Sequence, residues 1–122
     1  MSTIKVNNIQ NASGGSNSTP EQIQQGRAKA WVVSDSAGND LDSFGISSVT
    51  EIGNGNEDYT VAFSSAFSNT NYAVCADTNN TNNVGGQVFI DEKTTGNFKA
   101  NVRNTAGGNK TNSGFACVIF GD

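Results

Sequence analysis

The sequence predicts an all-β protein: an antiparallel β-sandwich of about seven to eight strands with an extended N-terminal arm and one short helix. Three observations predict it. In residues 58–77, DYTVAFSSAFSNTNYAVCAD, Tyr59, Val61 and Phe63 alternate with Thr60, Ala62 and Ser64, and Tyr72, Val74 and Ala76 alternate with Ala73, Cys75 and Asp77. A two-residue repeat puts each set on its own face of a strand, one of them buried. Residues 64–71, between the two runs, are rich in Ser and Asn, whose side chains bond their own backbone and favour turns. The pattern then recurs along most of the chain, with polar, glycine-rich breaks roughly every 10 to 15 residues.

The 122 residues suit one domain, or one domain with an arm. Only 34% of them are hydrophobic, so the core is modest and oligomerisation is the expected supplement. Disorder is not expected, because the seven Phe and the Val, Ile and Tyr positions fall in periodic runs. Seven basic against eleven acidic residues leave a net charge of −4, which argues against nucleic acid or an anionic membrane as partner. No continuous apolar run suggests a signal peptide or membrane insertion, so synthesis in a cytoplasm is expected.

Residues 1–26 read as a separate arm and residues 27–122 as the sandwich. Ile4, Val6 and Ile9 suggest a short extended segment before the linker-like NASGGSNS. Thr19 can cap a helix, Pro20 suits its first position, Gln22 completes a capping box and Gly26 ends it after barely two turns. Ile4, Val6, Ile9 and Ile23 have nothing local to pack against, and they are the arm's candidate contacts with another subunit.

A first strand starts at Ala28, where Lys29, Trp31 and Val33 alternate with Ala30, Val32 and Ser34. Trp31 is expected in the core, and it or Tyr72 could stack on a sugar if exposed. Residues 35–43, DSAGNDLDS, read as a turn. Residues 44–52 read as one strand with Phe44, Ile46, Val49 and Ile52 inward and a bulge near Ser47 and Ser48, where the phase slips. GNGNE at residues 53–57 is a hairpin loop. After Asp77, TNNTNNVGG at residues 78–86 is the most polar loop. Residues 87–91 place Val88 and Ile90 on one face and Phe89 on the other. EKTTGN at residues 92–97 turns the chain. Phe98, Ala100 and Val102 then face in, with Lys99, Asn101 and Arg103 out. A glycine-rich loop follows at residues 104–112. FACVIF at residues 115–120 is apolar on both faces, the mark of a central strand or of one covered by a subunit contact. Val118 and Phe120 are therefore further candidate oligomer contacts.

The residues offer little chemistry. The chain has no histidine, which removes Ser-His and Cys-His pairs and imidazole zinc sites. No cofactor is implied. Cys75 and Cys117 read as small core residues, with a disulfide open if their strands are neighbours. Asp35, Asn39, Asp40 and Asp42 fit no standard cation loop and read as a solvated turn. Glu51, Glu57, Asp58, Asp91 and Glu92 sit at strand ends, which keeps a carbohydrate hydrolase as a remote alternative. Asn79, Asn80, Asn82, Asn83, Asn109, Lys110 and Asn112 carry donors and acceptors suited to polar recognition, including a host surface glycan.

Several phrases together resemble small fibre-type proteins of tailed bacteriophages, common among marine and cyanobacterial phages. They are STIKVNNIQNASGGS; TPEQIQQGRAKAWV at residues 19–32; Ser43 and Phe44 with SSVT at residues 47–50; Asp58 to Val61 with Phe63; NYAV at residues 71–74; and CVIFGD at residues 117–122. The chain departs from such proteins at residues 33–42, where VSDSAGNDLD replaces a neutral hairpin. The resemblance implies a homotrimeric virion component assembled in the host cytoplasm. Its arm would point towards other virion proteins and its sandwich outward, and no catalytic residue carries over. Two placements follow: a tail-fibre or fibre-tip protein contributing to host attachment, or a capsid decoration or head-fibre protein.

Overall fold

The computed structural model describes residues 2–10, 12–14, 18–52, 58–79, 86–104 and 113–121, with the side chains of Glu21, Gln25 and Asn104 left aside. One helix, α1 (Pro20–Gly26), precedes eight strands: β1 (Ala30–Ser34), β2 (Asp40–Phe44), β3 (Ile46–Glu51), β4 (Asp58–Phe63), β5 (Ala73–Asn79), β6 (Gly86–Asp91), β7 (Asn97–Asn104) and β8 (Gly114–Phe120). They form two antiparallel sheets, ordered β2-β1-β8-β5 and β3-β4-β7-β6, so the fold is an all-β sandwich.

The helix starts as its sequence dictates. Gln22 N donates to Thr19 Oγ1 at 3.2 Å and Thr19 N donates to Gln22 Oε1 at 2.9 Å, closing the capping box in front of Pro20.

Period-two alternation fills the interior. Ala30, Val32, Phe115, Cys117 and Ile119 from the first sheet meet Tyr59, Val61, Phe63, Phe98, Ala100 and Val102 from the second. The connection from β4 to β5 crosses between sheets rather than closing a hairpin. It carries Phe67 and Tyr72 into one end of the core, where Phe63 lies 4.6 Å from Phe67 and 5.3 Å from Tyr72, centroid to centroid. Tyr72 Oη lies 3.0 Å from Thr94 O and 2.9 Å from Asn97 O. Buried Ser34 both donates to Phe115 O and accepts from Phe115 N, at 3.3 and 3.2 Å, so the hydroxyl is satisfied inside the core.

Several expectations need correction. Residues 44–52 are not one strand. Gly45, at φ 71° and with Lys29 O only 2.6 Å from where a Cβ would sit, turns the chain from the first sheet into the second. Phe44 therefore ends β2 opposite Trp31 and is 57% exposed instead of inward, and Ile52, past the end of β3, is exposed too. The expected bulge is present, as a register shift between Ile46 and Ser48. The turn at residues 35–43 is shorter than expected, because Asp40 already belongs to β2. Thr78 and Asn79 continue β5, Gly86 starts β6, and Asn97 and Asn104 begin and end β7, so none of them is loop.

The cysteines occupy neighbouring strands, but Cys75 pairs with Val118 and Cys117 with Ala76. That one-residue offset puts their side chains on opposite faces. Both thiols are free, Cys117 in the core and Cys75 exposed, so the core reading holds only for Cys117. Burial pushes the Cys117 thiol up to about 12.

Candidate functional site: the outer face of the first sheet

The two outer faces of the sandwich differ in chemistry. On the β3-β4-β7-β6 sheet, cross-strand rows run Thr50, Thr60, Lys99, Asp91 and then Asp58, Asn101, Phe89. That surface is polar apart from Phe89 and Ala62, and it is tied by ion pairs between Arg103 and Asp58 and between Lys99 and Glu92, each at 2.6 Å. A sheet facing water has this composition.

The β2-β1-β8-β5 sheet carries the opposite kind of surface. Its register aligns Phe44, Trp31, Val118 and Cys75 in one outward row. Asp42, Val33, Ala116 and Asp77 form the next, and Phe120 with Ala73 a third. The strands place them because AWVV in β1 and FACVIF in β8 are apolar at odd and even positions alike, so what does not enter the core must face out. A shallow apolar groove of about 410 Å³ runs along Trp31, Val33, Cys75, Ala116 and Val118. Asp42 on β2 and Asp77 on β5 flank it, both exposed, and Lys29 stands on the same outward phase of β1 beyond Trp31. Contiguous apolar surface flanked by charge is what contact sites between proteins present.

A second cleft, of about 380 Å³, adjoins this face at Phe44. Pro20, Ile23, Gln24 and Arg27 line it on one side and Lys29 with Phe44 on the other, so the root of the arm sits beside the edge of the apolar sheet. Ile9 and Ser18 close the arm's base through two backbone hydrogen bonds of 2.8 Å. Beyond that bridge Ile4 is 88% exposed and Val6 46%.

The sites read from sequence are distributed as follows. Ile4, Val6, Ile9 and Ile23 are all exposed, and Val118 and Phe120 lie together on the outer face of β8. Asn79 lies in a strand, not in the loop where the sequence placed it. It belongs to β5 and its Nδ2 donates to Ser34 O at 3.1 Å, which ties the strand end to β1. Asn80, Asn82, Asn83, Asn109, Lys110 and Asn112, like Glu57, lie outside the described residues. Trp31 is a correction too: it is half-buried on the outer face, not in the core, since its neighbours Ala30 and Val32 take the inward positions. Val33, Phe44 and Ala116, and Trp31 as a contact between copies, are the residues of this face that the sequence reading misses. Their signal was AWVV, apolar on both faces just as FACVIF is.

The acidic turn is self-contained. Asp35 Oδ1 accepts from Ala37 N and Asn39 N at 2.9 and 2.8 Å, and Oδ2 accepts from Asn39 Nδ2 at 2.8 Å. The Asn39 side chain, then its backbone N–H, holds the Asp35 carboxyl below the usual aspartate range. Among the described residues, no three His, Cys, Asp or Glu side chains gather as a metal site, and no helix is long and apolar enough to cross a membrane. Of the strand-end carboxylates, Asp58 and Glu92 are ion-paired and Asp91 Oδ1 accepts from Glu92 N.

Comparison with protein-family models, with curated proteins and with solved structures returned no match.

Proposed function

We propose that the chain is a non-enzymatic structural protein of a tailed-bacteriophage virion, working as a homotrimer in a tail fibre or fibre tip. One observation carries the assembly reading: the sandwich has one solvated outer face and one apolar outer face, and the apolar one includes Trp31, Phe44, Val118 and Phe120. Exposed apolar surface of this extent on a domain with a modest core favours burial against sister subunits. The placement in a virion rests on the phrases shared with small phage fibre proteins, above all the arm and RAKAWV. In this reading the arm also reaches other virion proteins, and the polar loops contribute to host attachment, with a surface glycan as the ligand class.

Immunogold labelling of purified particles with an antibody to the chain tests the placement. A few copies at the tail support the fibre reading. Many copies at regular capsid positions would move the protein to the decoration class, and unlabelled particles would refute a virion role. Adsorption of the isolated protein to host cells is expected from a fibre tip.

A further inference from the structure

We propose that the groove on the outer face of the β2-β1-β8-β5 sheet seats the N-terminal arm of a neighbouring copy, with Ile4 and Val6 packed against Trp31, Val33 and Val118. The inference rests on the reading of that face as a contact between copies, and it names what fills it.

Four observations select this occupant. Arm and face are each left apolar and uncovered within one chain: Ile4 is 88% exposed and Val6 46%, while Phe44 and Val118 stand open at 57% and 37%. In an extended segment Ile4 and Val6 project to the same side, which suits a shallow groove.

Charge supports the pairing. Residues 1–20 contain Lys5 and not one acidic residue, in a chain with eleven acids overall. The groove they would enter is flanked by Asp42 and Asp77.

The arm is long enough to cross such a face. The arm is held at its base by the Ile9–Ser18 bridge. Residues 2–8 extended span roughly 20 Å, and a four-stranded sheet is about 14 Å across.

Symmetry agrees as well. An arm-to-face contact joins two different patches, and where its rotation closes after three copies it makes the trimer already proposed. A face-to-face contact is isologous and stops at a dimer.

The chain supplies its own reporter. Its two cysteines are Cys117, buried, and Cys75, exposed in the groove's outer row beside Val118. A donor chain carrying Val6→Cys and Cys75→Ala is mixed with a differently tagged wild-type chain and oxidised gently. The expected product is a mixed disulfide dimer joining the arm thiol of the donor to Cys75 of the acceptor. An acceptor with Cys75→Ala and Gln87→Cys, whose thiol sits at an exposed position of the other sheet, is expected to give at least tenfold less. Sedimentation velocity is run on the same samples. Equal cross-linking to both acceptors, or none to either, in an oligomer that persists would overturn the arm's placement and leave the contact between copies standing. An internal disulfide in a chain carrying Val6→Cys alone would also overturn it, since the arm would then cover its own sheet. A monomer at every concentration would overturn both.

Discussion

Two neighbouring residues of β8 separate folding from assembly. Ile119 is fully buried, facing the core between Ala30 and Val74, whereas Val118 is 37% exposed on the outer face between Trp31 and Cys75. Ile119→Asp forces a carboxylate into the apolar interior. The cost of several kcal/mol is comparable to the total stability of a small domain, about 5–15 kcal/mol, so most of the chain should be unfolded. Val118→Asp leaves its new charge in reach of water, and the isolated chain should lose no more than about 1 kcal/mol. What it removes is the partner contact. Full burial of a valine side chain is worth about 1.5–3 kcal/mol, so covering the remaining third contributes about 0.5–1 kcal/mol per copy, and an uncompensated charge at that point costs more than it replaces. Urea unfolding followed by Trp31 fluorescence reads the first quantity and sedimentation velocity the second. The expected result is an Ile119→Asp chain without a native transition and a Val118→Asp chain that folds but stays monomeric. Equal loss of fold in both would mean that the outer face belongs to the core. Wild-type assembly by Val118→Asp would mean that the face is not a contact.

Other positions carry sharper structural expectations. Gly114→Ala should fail to fold or lose at least several kcal/mol in urea unfolding, because a Cβ there would lie 2.0 Å from Ser34 O, a backbone atom in the paired strand region. Tyr72→Phe should cost about 1 kcal/mol, since Asn97 O keeps the Thr94 N–H as a donor, while Tyr72→Ala should cost about 3–5 kcal/mol by emptying the aromatic cluster. Similar losses for the two would place the stabilisation in the hydroxyl. Cys117, whose burial raises its pKa to about 12, stays protonated at pH 8 and should resist a thiol reagent until the chain unfolds, whereas Cys75 reacts in the native protein at a rate that reports how far its face is covered. Rapid native modification of both thiols would contradict the offset register of β5 and β8.

Much of the fold was legible because alternation survives wherever one face is buried and the other wet. Phe98, Ala100 and Val102 point inward as their spacing requires, Phe89 points out against Val88 and Ile90, and Thr19, Pro20 and Gln22 cap α1 as written. Legibility failed where tertiary geometry decides. Nothing in the local pattern says that Gly45 ends one strand and starts another in the opposite sheet, because the reason is the distant Lys29 carbonyl. Cys75 alternates with Val74 and Ala76, so its outward side was written in the phase of β5, whereas FACVIF is apolar on both faces and does not say which side Cys117 takes. Asn79 read as loop because its neighbours are polar, yet its amide is used by Ser34. The candidate face was half visible: FACVIF announced a strand apolar on both sides, and AWVV carried the same message, but Trp31 was assigned inward by residue type rather than by phase.

The central claim is that the apolar outer face of the β2-β1-β8-β5 sheet is covered by sister chains. Native mass spectrometry of the full chain at micromolar concentration tests it most directly. The expected spectrum shows a species at three times the chain mass of 12.7 kDa that collapses to single chains when Val118 is replaced by Asp. A single-chain species alone, in the wild-type protein and at every concentration, would contradict it.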